Sequence, residues 1–312
     1  MQPSPPALFH LSMSVLRRSQ GRSAVAASAY RSGSRMVDAR TGLVADYRLK
    51  THVTALPLIL PAGCPAMERQ AFWDAVEAHH RRGDAVVARE IDAALPRGLS
   101  RIQEATLAER FGRWLADAFG VGVDIGLHRK PNNPHLDILL SSNAVLVDGR
   151  LGKKVRELDG IAVQRDRTLM NPVEVIRAMW ARLSNEALAE AGRAERVDHR
   201  SYERQGVALK PGFHLGRAAH AMEVKEPGST DIGVRLAEIE QENEKIHPGN
   251  RRSHEPQSNR PERKLRAGRK PRALRSGATL VEPRVSGAAD AAALPGGPMG
   301  PGRGLRRPSF RR

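Results

Sequence analysis

The chain has 312 residues, a formal net charge of +17 and a single cysteine, Cys64. One cysteine excludes an intramolecular disulfide framework and suits a reducing cytoplasm, no apolar run approaches the roughly 18 residues of a membrane span, and the N-terminus lacks the basic-then-apolar order of a secretory signal. Residues 250–312 hold 16 Lys and Arg against 4 Asp and Glu, a net of +12 that leaves +5 for residues 1–249, and a balance this basic points to a polyanionic partner, nucleic acid above all.

In chain order, "ALFHLSMSV" (7–15) alternates Phe9, Leu11, Met13 and Val15 with His10, Ser12 and Ser14, which predicts a half-buried strand. The Ala-rich "GRSAVAASAYRSG" closes on Gly33 and predicts a short helix carrying Tyr30. "VTALPLILP" (53–61) reads as a strand, and residues 68–82 as an amphipathic helix with Phe72, Trp73 and Val76 turned to the core. Strands are expected over 85–95, 121–128 and 132–142, with a helix at 100–118 capped by Ser100 between the first two. Asn171-Pro172 opens a further helix over 171–191, and a short one is possible at 231–245. From about residue 247 the sequence is rich in Arg, Pro and Gly without apolar periodicity, which predicts disorder.

The last three strands share a pattern. Each sets an apolar face against one bearing Glu90 and Asp92, Asp124 and His128, or His135 and Asp137. The plainest account of such a face is solvation, but solvent-facing strand positions favour Thr, Lys or Arg. Converging imidazoles and carboxylates can instead hold a divalent cation, with His128 and His135 giving nitrogen and Asp137, Glu90, Asp92 or Asp124 giving oxygen. Taken singly, a histidine on a strand is more often structural than a ligand. Tyr30 is the candidate nucleophile, although a tyrosine in an Ala/Ser-rich helix ordinarily packs its ring. An unperturbed phenol, with a pKa of about 10, would need a cation or base to attack a phosphodiester.

Several segments, in order, resemble the MobA/MobL mobilisation relaxases of the histidine-hydrophobe-histidine endonuclease superfamily. "FHLSMSVLRRSQGRSAVAASAYRSG" is similar to the family's first strand and nucleophile helix, and "DARTGLVADY" and "LPLILPAGCP" to the segments after that helix. "AREIDAALP" resembles its acidic strand, usually written with Glu where Asp92 stands, and "VDHRSYERQGV" and "HLGRAAHAME" its closing motifs. The resemblance covers roughly residues 7–223. It implies a relaxase that nicks and rejoins one DNA strand at a transfer origin, with Tyr30 as nucleophile, His128, His135 and Asp137 at the metal-ligand positions, and Glu90 and Asp92 as a catalytic acidic pair. Two departures stand out: Asp137 occupies a position where the family usually has histidine, and "SSNAV" replaces a Thr-rich end with an Arg. An aspartate ligand favours Mg²⁺ or Mn²⁺.

The expected architecture is an α/β, ferredoxin-like relaxase sandwich: a mainly antiparallel sheet with helices on one face, over residues 1–225. A linker (226–249) and a disordered basic tail (250–312) come after it. The implied partners are single-stranded DNA at a transfer origin and accessory mobilisation proteins, in the cytoplasm. The competing expectation is a catalytically decayed DNA-binding protein that keeps the fold.

Overall fold

The computed structural model describes residues 9–130, 133–159, 171–213 and 215–246. In chain order these form β1 (Leu11–Arg17), α1 (Ala24–Ser32), β2 (Arg35–Val37), β3 (Val44–Asp46), β4 (Val53–Ala55), α2 (Arg69–His79) and β5 (Val86–Ala94). Then come α3 (Arg101–Phe119), β6 (Val121–Lys130), β7 (Asn133–Val145), β8 (Leu151–Lys154), α4 (Pro172–Glu190), α5 (Tyr202–Gln205), α6 (Gly216–Lys225) and α7 (Asp231–Ile246). The expected helix at 231–245 is α7, whereas the tail from 250 lies outside the described residues. No helix among the described residues is long and apolar enough to cross a membrane.

The main sheet runs β1-β5-β7-β6-β4, with β8 beside β7, and every pairing in it is antiparallel. Because β5 and β6 both run against β7, they are parallel to each other. β5–α3–β6 is therefore a split β-α-β unit with β7 between its strands, as a ferredoxin-like sandwich requires. Local signals explain where the helices begin. Ser100 and Gln103 form a reciprocal capping box at α3, Asn171 caps α4 with Pro172 at its first position, and the Ser23 hydroxyl accepts from the Ala26 amide at α1.

One face of the sheet, carrying Ile91, Val123, Ile125, Leu127, Leu136, Ile138 and Leu140, buries Leu107, Phe111 and Leu115 of α3 and Ile176 and Trp180 of α4. The other face is the one whose sequence is polar, and α1 and α2 cover part of it. Phe72, Trp73 and Val76 of α2 and Val25 and Ala29 of α1 pack with Leu16, Ala88 and Leu139 of the sheet. Burying side chains as large as Phe72 and Trp73 contributes roughly 2–3 kcal/mol each. The rest of that face, at the ends of β5, β6 and β7 beside α1, carries a cluster of polar side chains.

The expected strand over 53–61 is shorter. Regular pairing covers only Val53–Ala55, and Ile59 adds an isolated bridge to Val123. Pro57 and Pro61 cannot donate to a ladder, so beyond Ala55 the contact with β6 is reduced to the backbone hydrogen bonds of Leu56 and Ile59.

Candidate metal centre and nucleophile

Strand register assembles the cluster. His135 of β7 lies directly opposite His128 of β6, and Asp137 lies opposite Gly126 on one side and Asp92 of β5 on the other. His128, His135 and Asp137 each turn a ligand atom inward, all within 4.8 Å of one another. The two imidazole rings lie 5.2 Å apart, and the Asp137 Oδ2 is 3.3 Å from His128 Nδ1 and 4.0 Å from His135 Nε2.

The donor set fits a divalent cation. The His128 side chain is wholly shielded from solvent, yet neither ring nitrogen has a hydrogen-bond partner; the approach of Asp137 lacks the alignment of one. Buried nitrogens in that state call for an explanation, and a bound cation would supply one. Burial first, then the positive charge of Lys50 and the neighbouring His135, His52 and Arg31, push the His128 pKa from 6.5 down to about 3, so the ring is neutral, as a ligand must be. His135 Nδ1 donates to the Asn133 carbonyl at 2.8 Å, which orients the ring and makes Nε2 the nitrogen available as a ligand.

The acidic pair divides. Glu90 is gripped by two guanidiniums: Arg22 bidentately at 2.6 and 2.7 Å, and the buried Arg31 at 2.8 Å. Burial would raise its pKa, but these contacts outweigh it and hold the carboxyl below its usual range. Asp92 has no such grip. Burial, and then Asp137 against the opposing pull of His135, keeps its carboxyl above the usual carboxylate range.

Tyr30 reaches the cluster because α1 lies directly on the sheet. Gly126 of β6 allows this: a Cβ there would overlap the backbone carbonyl of Arg31. The Tyr30 ring stands 5.4 Å from that of His128 and 5.3 Å, edge-on, from Tyr47. The Lys50 ammonium sits 3.1 Å from the centroid of the Tyr30 ring, placing positive charge where a phenolate would spread its negative charge.

One expected oxygen donor belongs elsewhere. Asp124 is fully buried under α1 and α2, where its carboxylate accepts from Ser28 Oγ at 2.5 Å, Trp73 Nε1 at 2.9 Å and Arg69 Nε at 3.1 Å. It ties both helices to β6. Sequence reasoning missed Lys50, His52, Arg31 and Gly126. The glycine had a readable signal: Gly122 and Gly126 fall on the polar face of an otherwise well-filled strand, the mark of a close approach.

A tyrosine, an imidazole pair and two carboxylates thus meet on an antiparallel α/β sandwich, and comparisons with known proteins place the chain in a family. A model of the MobA/MobL family matches residues 22–225, and the chain belongs to that family. It is 43% identical over 243 residues to "Mobilization protein MobL" of Acidithiobacillus ferridurans, covering 70% of this chain and 64% of that one. It is 32% identical over 262 residues to "Probable conjugal transfer protein TraA" of Sinorhizobium fredii, covering 77% of this chain and 24% of the relative. The chain thus spans under two thirds of the first relative and about a quarter of the second. A solved structure described as "Molecular Basis of Vancomycin Resistance Transfer in Staphylococcus aureus" is similar with a TM-score of 0.56 and 26% identity, over 63% of this chain and all of that one.

Proposed function

We propose that the protein is a mobilisation relaxase, nicking and rejoining single-stranded DNA at a transfer origin during plasmid or integrative-element mobilisation. In this reading it acts in the cytoplasm alongside accessory mobilisation proteins. The observation that carries it is the approach of the Tyr30 ring to His128 within a cluster of two imidazoles and a carboxylate.

In this reading the Tyr30 oxygen attacks the scissile phosphorus, the bond from phosphorus to the 3′-oxygen breaks, and a 5′-phosphotyrosyl ester forms. The phenol gives up its proton and the leaving 3′-oxygen gains one. One phosphodiester is exchanged for another, so the liberated 3′-hydroxyl can reverse the step without ATP. His128, His135 and Asp137 would hold Mg²⁺ or Mn²⁺, which would polarise the phosphate and offset its developing charge. Asp92, with its raised carboxyl, is the candidate proton carrier at this site. Glu90 acts as a positioning residue: through Arg31 it holds the last turn of α1, which carries Tyr30.

Asp137 favours a second reading, a decayed domain that only binds DNA, because it departs from the histidine usual in the family. The burial of both histidines and the mutual approach of the three donors weigh against it. Covalent capture separates the two. Single-stranded fragments from the DNA beside the gene are incubated with the protein with and without Mn²⁺. The relaxase reading expects a denaturation-resistant adduct that Tyr30→Phe abolishes while DNA binding persists. Tight binding with no adduct under any metal supports the decayed domain.

A further inference from the structure

The segment Lys50-Thr51-His52-Val53-Thr54 runs from the nucleophile to the far side of the sheet edge. Lys50 caps the Tyr30 ring, the His52 ring stands 6.1 Å from that of His128, and the Thr54 hydroxyl accepts from Arg129 Nη1 at 2.9 Å. Beside it lies a cavity of about 240 Å³ lined by Thr51, His52, Thr54, Arg101 and Arg129. Every lining residue carries a hydroxyl, an imidazole or a guanidinium, so the cavity is unsuited to an apolar ligand and suited to an anion with several acceptor oxygens. Its volume lies below the roughly 300 Å³ at which pockets for drug-sized ligands begin and has room for a phosphate group.

The two arginines are differently prepared. Arg129 is fixed in place, its Nε donating to Glu104 at 2.8 Å and its Nη1 to Thr54, so its guanidinium is oriented before any ligand arrives. Arg101 is exposed and makes no hydrogen bond or ion pair among the described residues. Among the described residues no carboxylate forms an ion pair with it, since Glu104 is engaged by Arg129.

We propose that this cavity is a second phosphate subsite, taking a non-scissile phosphodiester of the bound strand through Arg101, Arg129 and the Thr51 hydroxyl. The proposal rests on the relaxase reading and deepens it. Thr54 follows Lys50 by about 13 Å of extended chain at most, so a phosphate fixed here sets the register of the strand against Tyr30. Arg101 and Arg129 are then positioning residues: they settle which phosphate meets the nucleophile.

The test uses the full chain and a set of fluorescent single-stranded oligonucleotides, each with one phosphate replaced by a neutral methylphosphonate. Binding is read by anisotropy for the wild type, Arg101→Ala and Arg129→Gln. In the wild type, neutralising one particular phosphate should weaken binding about tenfold, the scale of a lost charge-assisted contact. In Arg101→Ala that position should become silent, and the slope of log affinity against log salt should fall by about one. Arg101 is exposed and unpaired, so its variant remains informative even if Arg129→Gln folds poorly. Strong binding with the same positional pattern in wild type and Arg101→Ala overturns the subsite alone. Failure of the wild type to bind single-stranded DNA overturns the relaxase reading and the subsite with it.

Discussion

His128 carries a cost that pH should expose. Its pKa falls from 6.5 to about 3 on folding, so below 6.5 the unfolded chain takes up a proton that the folded protein refuses. The stability tied to the neutral ring is therefore complete above 6.5 and is lost as the pH falls toward about 3, at up to about 1.4 kcal/mol per pH unit. Thermal melts of the metal-free protein should show a steeper acid loss in the wild type than in His128→Leu, which has no ring to protonate. Equal slopes would mean that His128 is already protonated or accessible. In the proposed metal site, Asp137 would govern the choice of cation. An anionic ligand lowers the net charge of the site by one unit against a third imidazole, which tightens the hold on hard cations and weakens the cation as a Lewis acid. Calorimetry should show Mn²⁺ affinity falling by about tenfold or more in Asp137→Ala, and Asp137→His should shift preference toward nitrogen-favouring ions such as Zn²⁺. Undiminished Mn²⁺ binding by Asp137→Ala would remove the aspartate from the ligand set.

Among the elements, the contact of α1 with β6 decides whether Tyr30 meets the cluster. Gly126→Ala would force the Arg31 carbonyl away from the sheet, at a cost of about 1–3 kcal/mol for overpacking, and carry Tyr30 with it. The expected outcome is a folded protein, seen by circular dichroism, that binds DNA and forms little adduct. Normal adduct yield would show that the close seating of α1 is unnecessary. This contact also marks where the sequence ceases to be legible. Alternation along β5, β6 and β7 is local, so it gave the faces of these strands and put His128, His135 and Asp137 together on one of them. It could not tell Asp124 from His128, which share that face four residues apart. Which of the two joins the His135–Asp137 cluster and which is sealed beneath Trp73 and Arg69 depends on where α1 and α2 land, and that is tertiary packing. The β2–β3 hairpin escaped for a different reason: strands of three residues are too short to show a period. Lys50 escaped because nothing about a single lysine in a loop reveals the ring beneath it.

At the scale of the molecule, charge and chemistry occupy different parts of the chain. The His128–His135–Asp137 cluster and Tyr30 lie within the matched residues 22–225, whereas a net +12 lies in residues 250–312. Removing residues 250–312 should weaken binding to single-stranded DNA, flatten its salt dependence and leave adduct chemistry on pre-bound substrate intact. An unchanged salt slope after truncation would show that these cations do not meet DNA. The central claim, that the Tyr30 oxygen forms a covalent bond to DNA, is tested most directly by mass spectrometry of the trapped complex. Tryptic cleavage after Arg22 and Arg31 isolates Tyr30 in the peptide "SAVAASAYR", residues 23–31. After nuclease trimming, that peptide should carry the added mass of a 5′-phosphorylated nucleotide, with fragment ions placing it on the tyrosine. An unmodified 23–31 peptide alongside a nucleotide on Tyr47, Tyr202 or any other residue would contradict the account.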